Sequence, residues 1–134
     1  MTTITSSYSG QLRTQAVHVA SSSAIITDAP TDNHGRGEAF SPTDLVAASL
    51  GSCMMTVMGI EAAKEGISLD GLKIEITKIM ASNPRRIKAI QLNFTWPHPN
   101  ATKDQLEKLR EIAISCPVAL SLHRELAQEV TFDF

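Results

Sequence analysis

The sequence predicts an α+β protein in which antiparallel sheets pack on one long, buried central helix. Three observations carry that expectation. Alternating polar and apolar stretches open the chain, recur in its middle and close it, as half-covered strands do. One internal run, Leu45 to Ile60, contains no charged side chain at all. A later segment from Lys103 to about Ser115 sets Leu106, Leu109, Ile112 and Ala113 at helical spacing.

In order along the chain, the first third is expected to be extended. Tyr8 to Val19 suits a half-exposed strand, and Ala24 to Thr27 suits its hairpin partner across Ser21, Ser22 and Ser23. Asp28 to Phe40, with Pro30, Gly35 and Gly37, has no periodicity and reads as a long loop. Loops of that length inside compact domains are usually functional or mobile. A helix start follows: Ser41 as N-cap, Pro42 in the first turn and Asp44 closing a capping box. The helix is expected to reach Lys64 or Glu65, with Gly66 as its stop.

A charge-free helix interior implies burial on nearly every side. A chain of 134 residues keeps too much surface for its volume to surround such a helix alone. Ala47, Ala48, Gly51, Ser52 and Gly59 are small enough to admit a second helix, so a homodimer is expected. A membrane span needs roughly 17–25 apolar residues and usually has different flanks, so this reads as a core helix, with no membrane partner.

Beyond Gly66, Leu72 to Ile76 and Ile90 to Trp96 alternate cleanly and read as strands across a turn at Asn83 and Pro84. Pro97 and Pro99 end the second. Thr102 caps the helix that begins at Lys103. Cys116 and Pro117 interrupt it, Val118 to about Leu126 is a short helix, and Glu129 to Phe134 is a closing strand. Most pairing is expected to be antiparallel, within a single domain over residues 1–134.

The net charge of -2 and the absence of a basic tract argue against a nucleic-acid partner. Met1 to Tyr8 lacks the basic start and apolar core of a signal peptide, so a cytoplasmic location is expected. In a reducing compartment a structural disulfide is not expected. The two cysteines, Cys53 and Cys116, lie far apart with no CxxC spacing, which leaves catalytic, metal-bound and merely buried thiols as alternatives.

Cys116 stands next to Pro117 at a helix N-terminus, where free N–H groups lower a thiol's pKa. Cys53 lies mid-helix among apolar residues, where desolvation raises it, and its plain reading is a buried core thiol. To react, Cys53 needs a cation brought by the fold. Arg13, in a strand otherwise poor in charge, and Arg36, between Gly35 and Gly37, are the candidates; each is by default a solvated surface cation. Glu38 either orients an arginine or is a loop carboxylate and no more, and Asp44 is most simply a cap.

His18, His34, His98 and His123 have no ligand spacing, so neither a metal nor another cofactor is expected. Met54, Met55 and Met58 read as core filler. There is no phosphate loop and no GxSxG elbow.

Two motifs go further. Residues 41–53 (SPTDLVAASLGSC) resemble the signature of the OsmC/Ohr family, with its proline, leucine, small-residue helix and mid-helix cysteine. Cys116, Pro117 and Val118 resemble that family's second cysteine motif. Element order and length match over essentially the whole chain. Tyr8 to Arg13 and Asp32 to Asp44 look like a branch apart from the main peroxidase groups.

The resemblance implies an OsmC-like fold and an intertwined homodimer with each site built from both subunits. It implies thiol-dependent reduction of organic hydroperoxides, with Cys53 peroxidatic, Cys116 resolving and a small or protein-bound dithiol as reductant. An arginine would hold Cys53 ionised, Arg13 first and Arg36 second. One departure matters. The family's established peroxidases resemble one another in a glutamate just after the helix-start proline, paired with the arginine, and here that place holds Thr43. Glu38 is the available substitute, or the arginine goes unpaired. The departure motivates a second reading, a non-catalytic dimer that binds a small apolar ligand around Cys53. A third is a different cysteine-nucleophile enzyme with a base such as His34.

Overall fold

A computed structural model describes every residue from Met1 to Phe134. The chain forms two compact units, Met1–Val46 and Ala47–Phe134.

The N-terminal unit is an antiparallel sheet of β1 (Ile4–Gly10), β2 (Arg13–His18) and β3 (Ala24–Asp28), in that order. The single strand expected over Tyr8 to Val19 is therefore two. Gly10, Gln11 and Leu12 all take left-handed backbone (φ 87°, 54° and 62°), which reverses the chain. The polar–apolar alternation runs on through this reversal and conceals it. The β2–β3 hairpin forms as expected, with Thr14 opposite Thr27 and Arg13 opposite Asp28.

Residues 29–40 form a long loop with one turn of 3-10 helix at Thr31–Asn33. The loop is tied back onto its own start: the N–H groups of Asp28 and Gly37 donate to Phe40 O (3.1 Å) and Ala29 O (3.2 Å). Gly35 passes so close to Ala29 that a Cβ would stand 1.7 Å from its carbonyl oxygen, so only glycine fits. The expected capping box then forms. Ser41 N–H donates to Asp44 Oδ2 (2.9 Å), and Asp44 N–H donates to Ser41 Oγ (3.1 Å). It opens α1 (Pro42–Lys64), and Gly66, at φ 67°, ends it as expected.

In the C-terminal unit α1 buries a single stripe: Ala47, Leu50, Gly51, Met54, Met58, Glu61 and Ala62, at helical spacing. Ser52, Thr56 and Ile60 are exposed. Within one chain, then, only part of the helix surface is covered. By length and hydropathy α1 also meets the requirement for a membrane span. Gly51 lies close against the sheet, where a Cβ would stand 2.5 Å from Ile76 Cδ1.

That sheet consists of β4 (Lys73–Ala81), β5 (Arg86–Thr95) and β6 (Ala127–Asp133). β4 and β5 pair antiparallel, but β5 and β6 pair parallel, the one exception to the antiparallel expectation. The reason is the connection. Parallel neighbours need a long crossover, and α2 (Lys103–Ile114) with α3 (Pro117–Ser121) supplies it. α2 opens on a capping box of Thr102 and Gln105. α3 is shorter than expected, since the chain is extended again at Leu122. Leu92 and Phe94 of β5, Trp96 beyond it, Leu109 and Ala113 of α2, and the α1 stripe are buried. Each large apolar side chain sealed in this way contributes about 1.5–3 kcal/mol.

Candidate active site

Both cysteines belong to the C-terminal unit and both are free thiols. Cys53 borders the buried stripe of α1 and is half-buried. Cys116 is the N-cap of α3 and only 1% exposed. Its Sγ accepts the N–H of Ala119 at 3.4 Å. The fold brings the pair near enough for Cys53 to influence the Cys116 thiol.

The expected lowering of the Cys116 pKa is reversed. Burial pushes the thiol up, and the neighbouring Cys53 pushes it the same way. The N–H groups of Ala119 and Val118 act against this and are outweighed. A five-residue helix also supplies few aligned peptide dipoles to hold a thiolate.

The candidate cations belong to the N-terminal unit. Arg13 is held by a residue that the sequence reading passed over: Asp28. Arg13 Nε donates to Asp28 Oδ1 at 2.7 Å, and Nη2 donates to Oδ2 at 2.8 Å. Asp28 is completely buried and also accepts the N–H of Glu38 at 3.1 Å. The Arg13 hydrogen bond holds the Asp28 carboxyl below the usual carboxylate range, and Asp28 in turn raises Arg13. Arg13 therefore has a partner despite Thr43. The Glu38 carboxylate is a lesser contributor: it is mostly exposed and lies 3.9 Å from Arg13 Nη2. Arg36 hydrogen-bonds Gln11 at the surface.

The signal for Asp28 lay in the register. The hairpin partner read as Ala24 to Thr27 is one residue longer, and that residue sits directly opposite Arg13.

Beside this cluster is a largely apolar cavity of about 330 Å³, with Tyr8, Leu12, Thr14, Thr27, Pro42 and Thr43 on its wall. Thr14 and Thr27 share a 2.5 Å hydrogen bond there. No set of three or more His, Cys, Asp or Glu side chains is placed to hold a metal ion. The His18 ring hydrogen-bonds Ser21, and His123 accepts the N–H of Glu125. Asp44 serves as the helix cap.

Residues 35–131 match the OsmC-like protein family, most of the chain including both cysteines. The chain belongs to the OsmC-like family. A protein of Psychrobacter arcticus 273-4, assigned to the osmotic stress and detoxification response, is 45% identical over 98% of this chain and 96% of its own, with a TM-score of 0.93. An organic hydroperoxide resistance protein, OsmC of Legionella pneumophila, is 16% identical over 100% and 98%, with a TM-score of 0.75. A Vibrio cholerae O1 protein of the organic hydroperoxide resistance type, solved with captopril in one of its active sites, is 15% identical over 97% and 90%, with a TM-score of 0.73. At those identities the last two show the shared OsmC-like fold. No curated sequence matches the chain significantly.

Proposed function

We propose that the chain is a cytoplasmic, homodimeric thiol peroxidase that reduces organic hydroperoxides. The observation that carries this reading is the pairing of two free thiols of unequal access, Cys53 half-exposed and Cys116 sealed beside it. The accessible sulfur meets the oxidant first. The Cys53 thiolate attacks one oxygen of the O–O bond, which breaks to give Cys53 sulfenic acid and an alkoxide that takes a proton from water. Cys116, kept protonated by burial, then attacks the sulfenic sulfur. The S–S bond forms, and the thiol proton leaves with the hydroxyl as water. A dithiol reductant restores both thiols and is itself oxidised to a disulfide.

In this reading Arg13 is the cation that favours the Cys53 thiolate and the leaving alkoxide, with Arg36 and Glu38 in lesser roles. The uncovered side of α1, with Ile60 exposed, supports a second copy of the chain as its cover. Analytical ultracentrifugation should give a dimer. Purified protein supplied with a dithiol should consume tert-butyl hydroperoxide, and Cys53→Ser should not. Equal consumption by Cys53→Ser would refute the assignment.

One observation favours the second reading, a binding module for a small apolar ligand. Thr43, in the glutamate's place, lies on the wall of the apolar cavity. That reading expects no turnover and slow alkylation of Cys53 at neutral pH.

A further inference from the structure

We propose that the cavity of the N-terminal unit binds a compact neutral molecule with an apolar body and an oxygen that accepts a hydrogen bond, such as a ketone or an alcohol. At about 330 Å³ the cavity sits at the small end of the usual range for ligand pockets. The inference takes the cavity of the second reading further and does not involve the thiols. The wall residues fall within Met1–Val46, and both cysteines lie outside that unit.

The ligand's neutrality follows from the wall. Tyr8, Leu12, Pro30 and Pro42 make most of it apolar, and no Asp, Glu, Lys, Arg or His side chain lines it. The Arg13–Asp28 pair is turned away. Arg13 precedes Thr14 in β2 and Asp28 follows Thr27 in β3, and successive strand residues point to opposite faces. The pair is also satisfied internally, by two N–H···O contacts. An ionised ligand would therefore lose its water in the cavity and gain no counter-charge.

The need for an acceptor lies in a spare hydrogen. Thr14 Oγ1 and Thr27 Oγ1 are 2.5 Å apart, and neither hydroxyl has another partner in the chain. Two hydroxyls carry two hydrogens, and their mutual bond uses one. The second stays on a pair that lines the cavity, with Thr27 only 7% exposed. A ligand oxygen can take it, and a hydrocarbon cannot. The wall is also held in place by its own backbone. Tyr8 Oη accepts the N–H of Leu12 at 3.1 Å, Leu12 O accepts the N–H of Ala29 at 3.1 Å, and Pro30 O accepts those of Asn33 and Gly35. A pre-formed wall spares the ligand the cost of ordering it.

Tyr8 is the sole tyrosine and Trp96, in the C-terminal unit, the sole tryptophan, so proton NMR of the full-length protein reads the cavity and a distant control separately. Three molecules of similar size are titrated: acetophenone, neutral with a carbonyl acceptor; ethylbenzene, its hydrocarbon analogue; and benzoate, its anionic one. Acetophenone should shift the Tyr8 ring signals saturably and leave the Trp96 indole signal in place. It should bind several-fold more tightly than ethylbenzene, the worth of a single hydrogen bond, and about tenfold or more tightly than benzoate. When Thr14→Val and Thr27→Val are combined, the advantage over ethylbenzene should vanish. The fold should survive, because replacing both partners of a hydrogen bond by apolar groups of the same shape is nearly neutral. Absence of a saturable Tyr8 shift, as when a second copy of the chain covers the cavity, overturns the proposal. So does a Kd for ethylbenzene or benzoate equal to or tighter than that for acetophenone, or an advantage that survives the double variant. Should the double variant fail to fold, the ranking of the three probes on the wild type still decides. Hydroperoxide turnover, measured separately, bears only on the thiols, so the two proposals stand or fall apart.

Discussion

Cys53 lies close enough to the buried thiol of Cys116 to push it up, although the two are separated by most of the C-terminal unit's sequence. The first prediction follows from that proximity. One equivalent of an organic hydroperoxide should convert the pair to an intrachain disulfide, seen as the loss of two hydrogens by mass and of both alkylation sites. A dithiol should reverse it. In Cys116→Ser the reaction should stop at a sulfenic acid on Cys53, trapped by dimedone. A link between two chains, visible on a non-reducing gel, would contradict the geometry.

Cys116 makes the reduced protein's stability depend on alkaline pH. Burial raises its native pKa, so the folded state keeps a proton that the unfolded chain has already released. The stabilisation is therefore complete below the ordinary thiol value, about 8.5, and is lost as pH climbs from there through the native value. Urea melts of the reduced protein should show a midpoint that declines above that pH. Cys116→Ala should flatten the decline; an equally steep decline in the variant would show that another group is responsible.

Gly35 is predicted to govern the loop that presents Glu38 to Asp28. A methyl group at Gly35 would collide with the backbone carbonyl of Ala29, which cannot rotate away as a side-chain tip can. Gly35→Ala should cost about 1–3 kcal/mol, the usual range for overpacking. Gly66→Ala is the control: a Cβ there meets nothing within 4 Å and carries only the backbone strain of its left-handed φ. A chemical melt in which Gly35→Ala matches wild type would mean that the loop takes another path.

The helices were legible because their ends announce themselves locally. Ser41 and Asp44 cap α1 as read, Gly66 stops it, Thr102 opens α2, and Cys116 with Pro117 divides α2 from α3. What local patterning could not supply was pairing. The reversal at Gly10 to Leu12 was hidden because alternation continued through it. The parallel placement of β6 depends on where a helical crossover returns the chain, which no window of sequence contains. The candidate site divides in the same way. The cysteines stood out by type and position, but the partner of Arg13 needed the hairpin register, and the direction of the Cys116 shift needed its burial. Helix-end chemistry argued one way there and desolvation the other, and only packing decides between them.

The charged pair joining α1 and α2 gives the last prediction. Glu61 is nearly buried on α1, with Lys108 of α2 at 2.6 Å and Lys64 at 3.7 Å. The Lys108 hydrogen bond holds the Glu61 carboxyl below its ordinary value, against the opposing effect of burial. A depressed native pKa contributes stability above the ordinary glutamate value, about 4.3, and that contribution is lost as pH falls through the native value. Acid should therefore lower the urea midpoint less steeply in Glu61→Gln than in wild type. Lys108→Met removes the main partner and leaves the carboxylate behind, so at pH 7 it should destabilise the protein more than Glu61→Gln does. Combining the two should recover part of that loss, because the cost lies in the stranded charge rather than in the missing lysine. Strictly additive losses in the double variant would show that the two side chains act independently.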